Sequence, residues 1–203
     1  CHTPSYVTRY DVVAGIKEGG IFLLNSPWTL AEMEHELPAS MKNAIAKNHV
    51  KFYNMDGVKL AREVGMGNRI NTVMQAAFFA LAHVIPAEEA VGYMKAAAKK
   101  SYSKKGEAVV QKNYAAIDVG AKGFEEIKYP TSWATTTEGA VVKDVTDDPY
   151  FQDFIKPVLA QKGDSLPVSK LSPDGTVPTG TTKYEKRGIA VDIPQWIPEN
   201  CIQ

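Results

Sequence analysis

The sequence predicts an α/β fold: a layered parallel sheet with flanking helices over residues 1–129, N-terminally incomplete, followed by an extended linker over 130–203. Three observations carry that prediction. A short, continuously apolar run at residues 21–25 suits a strand buried on both faces, residues 50–54 are a second strand candidate, and the two alternate with stretches at helical spacing, the order that yields a parallel sheet covered by helices. Only two or three strands are visible, too few for the helices on offer, so the sheet either begins upstream of Cys1 or is completed by another chain. Finally, texture changes near Tyr129-Pro130: four of the twelve prolines precede that point and eight follow it.

In chain order, residues 6–16 have helical spacing, and the Gly19-Gly20 turn leads into the first strand. Two helical stretches, 30–37 and 40–47, are split by Pro38 before the second strand. Ile70, Val73, Met74, Ala77, Phe78, Leu81 and Ile85 then make one wide apolar stripe of a long helix. Two more helices follow at 86–102, where Pro86 with Glu88 and Glu89 forms a good helix start, and at 105–119. A last strand at 124–128 closes the body. In the linker, Tyr150, Phe151, Phe154, Ile155, Val158 and Leu159 recur at helical spacing and residues 188–193 alternate like a short strand, which reads as an ordered strap.

The 203 residues carry 23 basic and 23 acidic side chains, and this balance removes the whole-chain electrostatic argument for a nucleic-acid partner. No run approaches the roughly 18 to 20 apolar residues of a membrane span, and the N-terminus lacks the regions of a secretory leader, so the expected location is cytoplasmic, with no membrane partner. A chain opening on Cys1-His2-Thr3-Pro4 reads as a piece of a longer polypeptide. Its two cysteines, Cys1 and Cys201, form neither a disulfide framework nor a complete metal site.

Several motifs bear on chemistry. Gly65-Met66-Gly67-Asn68-Arg69 opens the long helix: its glycines make a tight turn with Asn68 as N-cap, or its free N–H groups face an anion. Arg69 grips a phosphate or carboxylate, or pairs with Glu63. Asn71 and Gln75, four apart, form a polar ridge that suits either a polar ligand or a solvated edge. Asn113 interrupts the apolar line from Val109 to Ile117, so its amide points inward or into a cleft, for a structural hydrogen bond or a ligand contact. Lys95, Lys99, Lys100, Lys104, Lys105 and Lys112 read foremost as a solvated face. His2, His35, His49 and His83 lack ligand spacing. Glu32, Glu34, Glu36, Asp147 and Asp148 lack the apolar setting that raises a pKa, so no catalytic residue is assigned. A C-x-x-C-x-x-C cluster run starting at Cys201 would need its next cysteine at the position after Gln203, which leaves an incomplete motif.

Taken together, Cys1-His2-Thr3-Pro4-Ser5-Tyr6 and the stretches 19–28, 51–56, 65–79, 104–118, 186–191 and 194–203 resemble pyruvate:ferredoxin (flavodoxin) oxidoreductase. The likeness is to an interior segment: the latter part of the gamma-equivalent domain, then the linker to the ferredoxin-like domain. It implies a cytoplasmic, homodimeric parent holding thiamine diphosphate, Mg and [4Fe–4S] clusters, which converts pyruvate and coenzyme A to acetyl-CoA and carbon dioxide and passes electrons to ferredoxin or flavodoxin. The other domains of that enzyme are the implied partners. By motif, the family's coenzyme A contacts fall on Asn71 and Asn113, with Arg69 a lesser candidate, and Cys201 corresponds to a first cluster ligand. On this reading the isolated segment is inactive and holds no cofactor of its own. The alternative is a structural scaffold that docks the cluster domain through the stripe of Tyr150, Phe151 and Phe154. An independent nucleotide-binding regulator rests on Gly65 and Gly67 alone.

Overall fold

The computed structural model describes residues 1–141, 144, 146–184 and 194–200. Residues 1–142 form one compact unit and 143–203 a second. The first unit is built on a small mixed sheet in the order β1-β2-β3, with β1 Ile21–Asn25, β2 Lys51–Met55 and β3 Glu125–Glu126. The helices are α1 Tyr6–Arg9, α2 Leu30–Glu36, α3 Ala39–Lys47, α4 Gly57–Glu63, α5 Asn71–Ala82, α6 Ala87–Tyr102 and α7 Glu107–Gly120. The α/β class expected from the sequence is the class observed.

β1 and β2 run parallel, from Ile21 opposite Lys51 to Asn25 opposite Met55, with α2 and α3 as the crossover between them. Their side chains alternate between two apolar layers. Phe22, Leu24 and Phe52 pack with Met33, Leu37, Met41, Ile45 and Trp133 on the α2/α3 side. Leu23 and Met55 face the other side and pack with Ala61, Val73, Ala77 and Ala116. On the side of β1 away from β2, Cys1 N–H donates to Leu23 O at 2.6 Å and Asn25 N–H to Cys1 O at 2.8 Å, the exchange of a parallel pair.

The third strand corrects the expectation of an all-parallel sheet, because β3 pairs antiparallel with β2, Tyr53 opposite Glu126 and Asn54 opposite Glu125. Helix α7 delivers the chain to the carboxyl end of β2, so a strand added at that edge must run back. Apolar periodicity carries no information about direction. Residues 6–16 also differ from the single expected helix. Only α1 is helical; Tyr10 is extended, and three turns follow that carry Val13 into the core. The β-branched Val12-Val13 pair and Gly15, at φ +68°, favour that break. Helix α4 was not expected; Asp56 caps it, accepting from Lys59 N–H at 2.9 Å, and Asn25 Oδ1 receives Gly57 N–H at 2.7 Å.

Pro38 separates α2 from α3 as expected, and Thr29 with Glu32 forms a reciprocal capping box at the start of α2. The backbone and hydroxyl of Thr29, bonded to the Glu32 carboxylate, hold its pKa below the usual value. Helices α5 and α7 meet at Gly120, where any Cβ would run into the backbone of Val73.

In the second unit a π-helical stretch, Phe151–Ile155, continues into α8, Lys156–Leu159. Tyr150 stacks on Phe154 at 5.3 Å and Phe151 contacts Tyr184 at 4.9 Å. The strand expected at 188–193 lies outside the described residues. No helix among the described residues is long and apolar enough to cross a membrane.

Candidate functional site

Three helices of the first unit, α5, α6 and α7, enclose a cleft of about 360 Å³. It lies in the size range of small-molecule sites. One wall is the ridge of α5, which presents Asn71, Thr72, Gln75 and Phe79. The facing wall is α6, with Tyr93, Met94, Ala97, Ala98 and Ser101. Helix α7 closes the floor with Asn113 and Ile117. The sequence reading did not single out the α6 wall; its signal was the recurrence of Ala90, Met94, Ala97 and Ser101 at three- and four-residue spacing along a helix otherwise rich in lysine.

Asn113 is the best-defined polar group of the site. It is only 2% exposed, and its Nδ2 donates to Val109 O at 2.8 Å. No group among the described residues donates to its Oδ1. No fully buried side-chain oxygen or nitrogen among those residues lacks a partner, so this oxygen is open to the cleft. Asn71 and Gln75 are exposed, and neither side-chain amide has a hydrogen bond within the described residues. One turn of helix separates them, about 6 Å along the axis. Three amides from two helices therefore converge with unspent hydrogen-bonding capacity on a largely apolar cleft.

The structure thus brings Asn71 and Asn113 together. Arg69 lies outside the lining, in the turn before α5, and its Nε donates to Met66 O at 3.2 Å. Asn68 is not the N-cap expected from the sequence. Ile70 occupies that position, and the Asn68 side-chain Oδ1 accepts from Arg62 Nε at 3.0 Å. Gly65 and Gly67, at φ +74° and +62°, make the tight turn, and a Cβ on Gly65 would press on the stem of Lys112.

No lysine or arginine lines the cleft. Lys95 is held by Asp118 at 2.7 Å and lies over Tyr114, and Lys105 lies over Tyr102. Two of the acidic groups are likewise engaged: Glu34 receives Trp133 Nε1–H at 2.7 Å and pairs with Lys42, while Asp148 receives Tyr184 O–H and Tyr150 N–H, which lower its pKa. No group of three or more His, Cys, Asp or Glu among the described residues could hold a metal ion. Cys201 lies outside the described residues. Such an arrangement can bind and orient a neutral, hydrogen-bonding ligand.

Residues 1–123 match the family model described as pyruvate ferredoxin/flavodoxin oxidoreductase, and residues 136–190 match one described as a domain of unknown function. Among curated relatives, the chain is 56% identical over 204 residues to the pyruvate:ferredoxin oxidoreductase of Moorella thermoacetica, covering all of this chain and 17% of that protein. It is 44% identical over 205 residues to the pyruvate-flavodoxin oxidoreductase of Klebsiella pneumoniae, covering all of this chain and 18% of the relative. It is 42% identical over 205 residues to the mitochondrial pyruvate dehydrogenase [NADP(+)] of Euglena gracilis, covering all of this chain and 11% of that protein. The chain therefore spans less than a fifth of the length of these relatives. With more than half of its residues inside the family match, it belongs to the pyruvate ferredoxin/flavodoxin oxidoreductase family.

Proposed function

We propose that this chain is a segment of a 2-oxoacid oxidoreductase that converts pyruvate and coenzyme A to acetyl-CoA and carbon dioxide and hands the electron pair to ferredoxin or flavodoxin. Its own contribution is one wall of the coenzyme A cleft. The observation that carries this reading is the open Oδ1 of the buried Asn113, in the same cleft as the unpartnered amide of Asn71. Coenzyme A suits it, since its arm is apolar between amide groups. Thiamine diphosphate, when bound elsewhere in the enzyme, supplies the carbanion chemistry. The residues of this chain bind and orient, and the segment alone does not catalyse. The test is the paired Asn71→Ala/Asn113→Ala substitution in the full-length enzyme, read as the KM for coenzyme A.

Residues 130–203 lead toward the cluster domain in this reading, with Cys201 as one thiolate ligand of a [4Fe–4S] cluster whose other ligands lie elsewhere in the polypeptide. Replacing Cys201 by serine in the full-length enzyme should lower the iron content by about four atoms per chain or shift one cluster's potential, since serine replaces thiolate by a harder oxygen ligand. Unchanged iron and unchanged electron paramagnetic resonance spectra would remove Cys201 from the ligand set. The scaffold alternative would set the stripe of Tyr150, Phe151 and Phe154 against the cluster domain; among the described residues, Tyr150 stacks on Phe154 and Phe151 contacts Tyr184.

A further inference from the structure

The second unit holds a return contact between residues 36 apart in sequence. From Asp148 the chain runs through the π-helix, α8 and short 3₁₀ turns, and at Tyr184 it comes back to where it started. We propose that the Asp148–Tyr184 contact is a clasp that fixes where the chain departs toward the cluster domain, which makes Tyr184 a positioning residue for electron delivery. The inference rests on the reading of residues 130–203 given above and adds a device within them.

Asp148 engages both ends of this loop. Its Oδ1 accepts from Tyr150 N–H at 2.9 Å, at the start of the π-helix, and its Oδ2 accepts from Tyr184 O–H at 2.7 Å. These bonds favour the carboxylate and hold its pKa below the usual value, so the contact is intact at neutral pH. The Tyr184 ring lies 4.9 Å from that of the buried Phe151, and Lys183 Nζ lies 4.6 Å over it. Helical turns of the π type are rare and recur at functional sites. Other ties on the loop are slight. The Lys170–Asp153 ion pair at 2.8 Å is exposed at both ends. Val168, Leu171 and Val177 are exposed, and the side-chain bonds of Ser172, Asp174 and Thr176 are made among themselves and to the Thr176 backbone. Closing a loop of this length costs conformational entropy, which a ring contact and one charge-assisted hydrogen bond offset by a narrow margin. A single hydroxyl therefore decides whether the clasp is shut. Tyr184 stands 17 residues before Cys201, whereas Ile155, at the end of the π-helix, stands 46 before it. Opening the clasp moves the last anchored point back toward Ile155. A tether lengthened from 17 to 46 residues lowers the effective concentration of the domain at its end by about fourfold.

The experiment compares full-length enzyme with its Tyr184→Phe and Tyr184→Ala variants. Three quantities are measured: amide hydrogen exchange over residues 146–155, carbon dioxide released from pyruvate in a single turnover without carrier, and the rate at which the reduced enzyme passes electrons to excess ferredoxin. Loss of one hydrogen bond to a carboxylate should speed the exchange about tenfold in Tyr184→Phe, and further in Tyr184→Ala, which also removes the ring contact. Electron delivery should fall about fourfold while carbon dioxide release stays within about twofold. Unchanged exchange would show that the hydroxyl closes nothing. Faster exchange with electron delivery intact would show a contact that is structural alone, and a parallel loss of carbon dioxide release would show general damage. Each of these three results overturns the clasp and leaves the reading of residues 130–203 standing. That reading fails separately, if the unaltered enzyme passes no electrons from pyruvate to ferredoxin or flavodoxin.

Discussion

Replacing Asn71 and Asn113 together by alanine in the full-length enzyme should raise the KM for coenzyme A about 30-fold, from two lost hydrogen bonds at about 1 kcal/mol each. The KM for pyruvate should not move. The two asparagines reach the cleft from different helices, and the one on α7 is held in place by its own Nδ2 bond to Val109 O at 2.8 Å. Alanine at position 113 leaves that carbonyl its helical partner, so the loss falls on the ligand. An effect confined to KM, with kcat retained, would mean that the amides bind ground state and transition state alike. The scaffold alternative expects silence from this variant, and silence would favour it.

The second large effect concerns stability. Trp133→Ala should destabilise the first unit by about 3 to 5 kcal/mol, the usual cost of emptying a buried aromatic site. Trp133 is among the largest fully buried side chains and lies against Phe52 of β2, stacked on Tyr129 at 5.4 Å. Its Nε1–H also donates to Glu34 Oε1 at 2.7 Å. The same glutamate receives the buried Lys42 through both its carboxylate, at 3.5 Å, and its backbone carbonyl, at 2.8 Å. Removing the indole therefore empties a core site and loosens the pairing of a lysine whose side chain is 1% exposed. Hydrogen exchange across α3 and residues 129–135 of the full-length enzyme should accelerate sharply. Trp133→Phe should recover a large part of the loss, since it restores the ring but not the N–H donor. Exchange unchanged in Trp133→Ala would contradict this account of the packing.

How much of this was legible in the sequence follows from what each signal encodes. The first strand showed itself because Ile21–Asn25 reads as an apolar run after a glycine turn, and the second because Phe52, Tyr53 and Met55 of Lys51–Met55 suit a largely buried strand. Helices α5, α6 and α7 were legible because long stripes average out local exceptions. Helix α4 was not: its seven residues carry too short a stripe, and its position depends on Asp56 and on the distant Asn25. The direction of β3 was hidden because period-two patterning is the same in either sense. Asn68 looked like a cap until its side-chain Oδ1 was found on Arg62, a tertiary choice that local rules do not see. Asn113 was legible as a polar interruption of an apolar line, though only the packing shows that its oxygen stays open. The α6 wall was missed because Ala97, Ala98 and Ser101 define a cleft by being small, and small residues carry no chemical signal of their own.

The central claim, that the α5–α6–α7 cleft receives coenzyme A, is tested most directly by a density map of the full-length enzyme with coenzyme A bound. The account predicts ligand density between α5 and α6, with a ligand N–H donor about 3 Å from Asn113 Oδ1. Coenzyme A well ordered elsewhere, with this cleft empty and Asn113 unmoved, would contradict it.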